Sequence, residues 1–144
     1  MAIRLAQVRF YFDADILGVA HIIAALRSDC TYPGDPGAVI HRKRRPRCPI
    51  TEKDDVEWVP RVAAVGWLII TRDHNIRENP EERRAVRDSG AKMVALSGQD
   101  AGNKWDQLRL LMQRWPQLEE LADERGPFIW LVSRNRVTPL GLEP

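Results

Sequence analysis

Four short apolar runs constrain the fold of this 144-residue chain more than any other feature. They cover residues 8–13, 67–73, 92–97 and 128–134, and each is a continuous apolar run rather than an alternation of apolar and polar positions. Such runs are typical of strands covered on both faces, as in a parallel sheet between helical layers. A chain of this length can bury a core of that kind as one domain.

Helical patterns separate these runs. They cover residues 16–27, 52–65 with Thr51 as a candidate cap, 79–90 from the Asn79 cap to Gly90, and 104–115, with Pro116 opening a further helical turn through Leu121. Strands that alternate with helices predict parallel βαβ units. We therefore expect an α/β fold, a three-layer sandwich with a central, mainly parallel sheet.

The remaining segments have no strong periodicity. Residues 31–50 are rich in proline and glycine, which predicts a loop with at most a short strand. Residues 137–144 are predicted to be a tail that is mobile or docked on a partner, which leaves residues 1–136 as the folded domain.

The charge distribution is uneven. The formal net charge is +2, but a single run contains five bases, Arg42, Lys43, Arg44, Arg45 and Arg47, which leaves 17 bases against 20 acids elsewhere. A run of this kind attracts phosphate, although most short basic runs are simply solvated loops. The two cysteines cannot form a disulfide framework, and no export signal or membrane span is evident, so we expect a cytoplasmic protein.

Acidic residues stand where predicted strands end. Asp13 closes the first run and Asp73 closes the second, while Asp54 and Asp55 begin the helix that leads into the second run. The carboxyl ends of parallel strands share one edge of a sheet, so these acids are expected to gather there. Carboxylates at close range repel each other, and a hard divalent cation such as Mg²⁺ or Mn²⁺ would relieve that repulsion. Each acid also has a structural explanation, as a turn former or a helix cap.

Two segments carry a resemblance to a known family. FYFDADILG at residues 10–18 and DDVEWVPRVAAVGWLIITRDHNIR at residues 54–77 resemble the opening strand and the later helix–strand unit of the PIN-domain nucleases. The likeness is greater to the PIN-like proteins of the VapC toxin type, and it spans roughly residues 8–134. It implies a PIN-like fold and a ribonuclease that depends on Mg²⁺ or Mn²⁺ and cuts single-stranded RNA. It also implies a toxin that a small antitoxin protein holds inactive, and a homodimer is compatible with it.

The resemblance also assigns roles to single residues. Asp13 matches the first metal-binding acid, Asp55 or its neighbour Asp54 the second, and Asp73 the third, while Asn75 falls where the family often has a further polar or acidic group. On this interpretation the RNA backbone would be held by cations, namely Arg72, Lys104 and the run Arg42, Lys43, Arg44, Arg45 and Arg47.

A second hypothesis stays open. A PIN-like module that binds RNA or protein without cutting it would share the same residues. Other enzyme classes lack their motifs, since the chain has no GxSxG elbow, no Walker loop and no dinucleotide fingerprint.

Overall fold

A computed structural model describes residues 2–72 and 76–143 of the chain. Within these residues the strands are β1 Arg4–Leu5, β2 Phe10–Phe12, β3 Cys30–Thr31, β4 Ala38–Ile40, β5 Lys43–Arg45, β6 Leu68–Arg72, β7 Lys92–Leu96, β8 Phe128–Val132 and β9 Val137–Pro139. The α-helices are α1 Leu17–Leu26, α2 Asp55–Val65, α3 Pro80–Ser89 and α4 Lys104–Ala122. Short 3₁₀ turns, Ala14–Ile16 and Ile76–Glu78, follow β2 and β6 in the chain.

The main sheet has six strands in the order β3-β2-β6-β7-β8-β9. Every neighbouring pair from β3 to β8 is parallel, and only β9 is antiparallel. The prediction of an α/β fold with a central, mainly parallel sheet is confirmed. The four predicted strands are all present, and each is shorter than the apolar run that predicted it.

Helices cover both faces of this sheet. Phe10 and Phe12 point into a core that α1 and α4 cover, whereas Tyr11 between them points into a core that α2 and α3 cover. This alternation follows from the strand period of two, and it explains why β2 is apolar at every position. The three-layer prediction is therefore confirmed.

The helices begin and end where capping chemistry places them, with two departures from prediction. The Asp54 side chain, not Thr51, caps α2 by accepting a hydrogen bond from Glu57 N at 3.1 Å. Pro116 does not start a new helical turn but lies inside the continuous helix α4, where Leu111 and Leu118 on either side of it are fully buried. Packing of α4 against the sheet outweighs the amide bond that Pro116 removes. Within the described ranges, no helix combines the length and apolar character needed to cross a bilayer.

The proline-rich segment 31–50 is more ordered than its composition predicts. It contains β4 and β5, which form an antiparallel hairpin, and β1 pairs in parallel with β5 to complete a small sheet. Residues His41 and Arg42 form the turn, both with positive φ angles of 50° and 64°. Sequence patterns missed this hairpin because its turn lacks the glycine and asparagine that usually mark one.

The C-terminal residues lie against the domain. Val137–Pro139 extends the main sheet as β9, and Leu140 and Leu142 pack on the core beneath α2 and α3. Glu143 accepts a bond from Arg87 Nη1 at 3.0 Å. Much of the segment expected to form a tail therefore pairs with this chain itself.

A buried ion pair ties the hairpin to the main domain. Arg45 Nε lies 2.6 Å from Asp35 Oδ2, and these side chains are 3% and 0% exposed. Asp35 also accepts bonds from the Thr31 hydroxyl and from Gly37 N, both at 2.8 Å. Arg45 Nη1 donates to Ala24 O and Arg27 O at the C-terminal end of α1. Because both charges are fully bonded, the pair holds β5 against that helix.

We predict that Arg45→Met lowers the free energy of unfolding by roughly 3–5 kcal/mol, because it leaves the Asp35 carboxylate buried without its counter-charge. Urea unfolding measures the change, with Arg44→Met on the exposed face of the same strand as the control. Combining Arg45→Met with Asp35→Leu should cost clearly less than Arg45→Met alone. Equal, small losses for Arg45→Met and Arg44→Met would contradict the role given to the pair.

Candidate active site

The parallel register of β2 and β6 creates the centre of the site. Phe12 pairs with Ile70, so the next residues, Asp13 and Thr71, lie side by side at the carboxyl edge of the sheet. Asp13 N donates to Ile70 O at 2.9 Å, and the Thr71 hydroxyl donates to Asp13 Oδ2 at 2.8 Å. The first predicted acid is therefore at the sheet edge, oriented by a buried hydroxyl.

A second carboxylate reaches the same hydroxyl. The 3₁₀ turn after β2 brings Asp15 back over β6, where its Oδ2 lies 3.2 Å from Thr71 Oγ1 and 3.3 Å from Arg72 N. Desolvation by the surrounding protein, followed by the charge of Asp13, raises the pKa of Asp15 to about 7. Asp15 stands two residues after Asp13 in the sequence but was not among the predicted site residues.

A third carboxylate, that of Glu52, also lies here and was missed by sequence analysis. Its Oε2 accepts bonds from the Tyr11 hydroxyl at 2.6 Å and from Ala14 N at 3.1 Å. Burial, followed by a hydrogen bond with Asp13 and the charge of Asp13, raises the pKa of Glu52 to about 9. Burial and the bond to Glu52 keep the pKa of Tyr11 well above its usual value, so that hydroxyl remains a donor. Glu52 lies in a loop before α2, where no periodic pattern marks a side chain that points inward.

The two alternatives for the helix-start acid have different surroundings. Asp54 is exposed and serves as the cap of α2. Asp55 is half-buried and accepts a bond from Trp58 Nε1 at 3.0 Å. Partial burial raises the pKa of Asp55, the Trp58 bond opposes that rise, and the charge of Asp13 adds to it. Asp55 thus shares the electrostatic environment of Asp13, while the Asp54 carboxylate is engaged in capping.

Asp73 and Asn75 lie outside the described residues, so their predicted roles stay predictions. In the rest of the chain, no three His, Cys, Asp or Glu side chains are grouped closely enough to form a metal site by themselves. The donor chemistry nevertheless fits a hard cation, because Asp13, Asp15 and Glu52 present carboxylate oxygens that repel each other at one sheet edge.

Two predicted cations lie near these acids. Arg72 is half-buried at the end of β6, and its charge lowers the pKa of Asp15 against the larger effects that raise it. Its Nε atom is buried and forms no hydrogen bond with a described residue. Lys104 begins α4 and lies across the first turn of α1, where a Cβ on Gly18 would come within 2.7 Å of Lys104 Cε.

The basic run does not join the acids. Arg45 is buried in its ion pair with Asp35, so the prediction that it binds RNA is wrong. Arg42, Lys43, Arg44 and Arg47 are exposed and stay candidates. The hairpin that carries the first three is attached to the C-terminal end of α1, whereas Asp13 and Asp15 precede its N-terminal end.

A cationic groove at the acid-bearing edge was not predicted. Its volume is about 550 Å³, and its charged lining residues are Arg77, Arg136, Arg134 and Asp100, the last two of which pair at 3.7 Å. Ser97 and Ser133, which follow β7 and β8, also line it. The groove is therefore at the same edge as the acids, two to three strands away. The loop between β8 and β9 is held in place by Arg114, which donates to Ser133 O and Arg134 O at 2.9 Å.

Comparison with known proteins agrees with this architecture. Residues 8–98, well over half of the chain, match the family described as PIN like domain. The chain belongs to the PIN-like domain family. The resemblance that residues 10–18 and 54–77 carry is thereby confirmed, and the acid-bearing edge described above is the carboxyl edge of a PIN-like domain.

One relative shares part of this PIN-like domain. It is a Mycobacterium tuberculosis protein named "Putative ribonuclease VapC45", which is 30% identical over 83 residues. The match covers 58% of this chain and 59% of that protein, so it spans about three fifths of each. No solved structure gives a significant match.

We predict that Glu52→Gln raises the melting temperature of the metal-free protein at pH 8. The pKa of Glu52 is raised from 4.5 to about 9, so between these pH values the unfolded chain releases this proton while the folded chain holds it, which lowers the stability of the folded state. The amide of glutamine cannot ionise in either state, and it keeps an acceptor for Tyr11. Each kcal/mol of relief should add roughly 3–6 °C. The gain should shrink toward pH 4, where the carboxyl is protonated in both states.

The control is Glu57→Gln, which removes an exposed carboxylate from the first turn of α2. It should leave the melting temperature unchanged or lower it slightly, because that acid favours the helix N-terminus. A lower melting temperature for Glu52→Gln at pH 8 would show that the acids are not in electrostatic conflict.

Proposed function

We propose that this chain is a metal-dependent endoribonuclease that hydrolyses single-stranded RNA, and that it is the toxin component of a toxin–antitoxin pair. The observation that carries the proposal is the convergence of Asp13, Asp15 and Glu52 at the carboxyl edge of a PIN-like sheet. The relative named a ribonuclease of the VapC type supports the same activity. Residues 1–136 would form the nuclease domain, with β9 and the leucines that follow it packed onto this domain.

The acids of this edge would hold the cation. Asp13 and Asp15, whose carboxylates share the Thr71 hydroxyl, are the first candidate ligands. Asp55 and Asp73 would be further ligands, and Asn75 would be a neutral ligand. Mg²⁺ or Mn²⁺ bound there would activate a water molecule and offset the charge of the phosphate. The raised pKa values of Asp15 and Glu52 support this assignment, because burial and the charge of Asp13 disfavour their ionisation, which a bound cation would favour again.

The neighbouring residues of the chain would keep the acids in position. Thr71 donates one hydroxyl proton toward Asp13 and Asp15, which keeps the two carboxylates on the same side of β6. Tyr11 and Ala14 N hold Glu52 with its carboxyl beside Asp13. A carboxyl with a raised pKa in that place is suited to exchange protons with a reacting water or a departing oxygen near neutral pH.

The RNA backbone would follow the carboxyl edge of the sheet. Arg72 and Lys104 flank the acids, and the groove of Arg77, Arg134 and Arg136 continues along the same edge. Arginine forks suit bidentate contacts with phosphate. An RNA strand bound by Arg72 and Lys104 and also by the arginines of the groove would pass over Asp13.

We further propose a cytoplasmic protein that a small antitoxin binds. The candidate surface is the outer face of α4, where Trp105 is 70% exposed and Met112 is 69% exposed. These residues are seven positions apart and so share a helix face. Exposed aromatic and methionine side chains are typical of protein interfaces. A homodimer through the same face is the competing arrangement.

We predict that Asp13→Asn abolishes Mn²⁺-dependent cleavage of single-stranded RNA while RNA binding is retained. The rate should fall more than roughly a hundredfold, since groups that only orient a metal's ligands already contribute about 10- to 100-fold. Asp73→Asn should behave in the same way, and Asp123→Asn, on the exposed loop after α4, is the control. Cleavage by neither the wild type nor any variant, with RNA or protein binding intact, would favour the inactive PIN-like module.

Substitutions of the two acids at the start of α2, Asp54 and Asp55, should differ in their effects on activity and on stability. Asp55→Asn keeps an oxygen acceptor for Trp58 Nε1, so we expect lower metal-dependent activity with an almost unchanged melting temperature. Asp54→Ala removes the cap of α2, so we expect a loss of about 1 kcal/mol in stability with activity retained. Activity assays and urea unfolding on both variants check this, and the reverse pattern would assign the second acid to Asp54.

A further inference from the structure

The hairpin formed by residues 38–45, here called the basic hairpin, presents a second cationic surface. His41, Arg42, Lys43 and Arg44 are all exposed, and Arg4 on β1 pairs with Lys43 in the same small sheet. Within residues 2–72 and 76–143, no carboxylate forms a salt bridge with Arg4, Lys43 or Arg44. The surface is therefore poorly neutralised, in a chain that is otherwise net acidic.

A groove of about 510 Å³ lies between this hairpin and the main domain. Four of its lining residues, Arg9, Arg27, His41 and Lys43, are basic. Arg9 pairs with Asp123 at 3.1 Å and Arg27 with Asp29 at 2.9 Å, whereas Lys43 forms no salt bridge with a described residue. The positive charge of the groove therefore comes from its hairpin side, where Lys43 lies next to Arg4 and Arg44. A polyanion is the ligand that such a lining favours.

The groove is one helix length from the acids. Arg9 precedes β2 and Arg27 follows α1, whereas Asp13 follows β2 and Asp15 precedes α1. A helix of ten residues is about 15 Å long, so a bound strand would have to run along α1 to reach both ends. Exposed Arg47 lies on the segment that returns from the hairpin toward Glu52, which places a further cation on this path.

The turn of the hairpin has an unfavourable backbone conformation for the residues that it contains. His41 and Arg42 both adopt left-handed backbone conformations, which asparagine and glycine adopt at lower cost. Buried Arg45 nevertheless holds β5 rigidly against α1. A costly turn on a rigid anchor is a feature of functional loops.

We propose that the basic hairpin and its groove form an anchoring site for single-stranded RNA, separate from the cleavage site and one helix length away from it. This inference rests on the proposed function, which it deepens by requiring substrates long enough to reach both sites. A linear, evenly charged chain is the ligand that contacts both ends of α1 at once. An acidic protein partner is the competing ligand, and the test discriminates it.

The first test is RNA binding in EDTA, with a labelled mixed-sequence single-stranded RNA of about twenty nucleotides. Lys43→Thr combined with Arg44→Thr removes two charges and keeps residues that favour strands. We expect roughly tenfold weaker binding, and a slope of log K against log salt that is smaller by about 1.4. The control, Arg84→Ser combined with Arg125→Ser, makes the same charge change at exposed positions elsewhere, and it should keep the wild-type slope.

A second variant separates charge from structure. His41→Asn combined with Arg42→Gly places the residues that the turn geometry prefers, so we expect a higher melting temperature together with weaker RNA binding. A merely structural role for the turn predicts unchanged binding in this more stable protein. That result, or equal salt slopes for the Lys43/Arg44 variant and its control, would overturn the proposal.

Cleavage of RNAs of different length distinguishes the anchoring site from the activity. With Mn²⁺, the Lys43/Arg44 variant should lose efficiency on RNA of about twenty nucleotides through a higher KM, and it should cut RNA of about four nucleotides like the wild type. Equal losses on both lengths would overturn separate anchoring. If no form cleaves RNA but the variant still loses binding in EDTA, the nuclease proposal fails and the anchoring site stands. If the variant binds RNA normally but no longer binds the protein encoded beside it, the surface is a protein site.

Discussion

The parallel register between β2 and β6 is the constraint on which the site depends. Pairing Phe12 with Ile70 sets Asp13 beside Thr71 and turns both toward the face that α2 covers. A slip of one residue would turn Asp13 to the opposite face of the sheet, away from Glu52 and Asp55. Both faces of these two strands are buried, so the pairing that places Asp13 is part of the packed core.

The acids at this edge lower the stability of the folded chain. Burial and mutual repulsion raise the pKa of Asp15 and of Glu52, so the folded chain without a cation holds protons that free carboxyl groups would release at neutral pH. Hydrogen bonds from Thr71, Tyr11 and Ala14 N fix the carboxylates in place despite this cost. Such strain at a rigid edge is what a preorganised cation site would require.

The basic residues divide into groups with different physical roles. Arg45 is structural, because its charge is buried and fully bonded to Asp35 and to the end of α1. Arg72 lies beside Asp15, Lys104 lies across the first turn of α1, and Arg134 and Arg136 line a groove along the same edge. The exposed charges of the basic hairpin lie one helix length away. Neighbours in one run of sequence thus serve different purposes, since strand alternation sends Arg44 outward and Arg45 inward.

Local sequence patterns determined the four central strands, the four helices and the sheet edge at which Asp13 lies, because buried strands and capped helices are encoded by neighbouring residues. They also identified the PIN-like family from residues 10–18 and 54–77, which the family match confirms. They missed the basic hairpin, whose His41–Arg42 turn lacks the usual residues, and they missed Glu52, which reaches Asp13 from a loop. The burial of Arg45 and the convergence of Glu52 on Asp13 depend on contacts between residues distant in the chain. Only the tertiary structure decided them, because no local periodicity records which side chains the packed layers bring together.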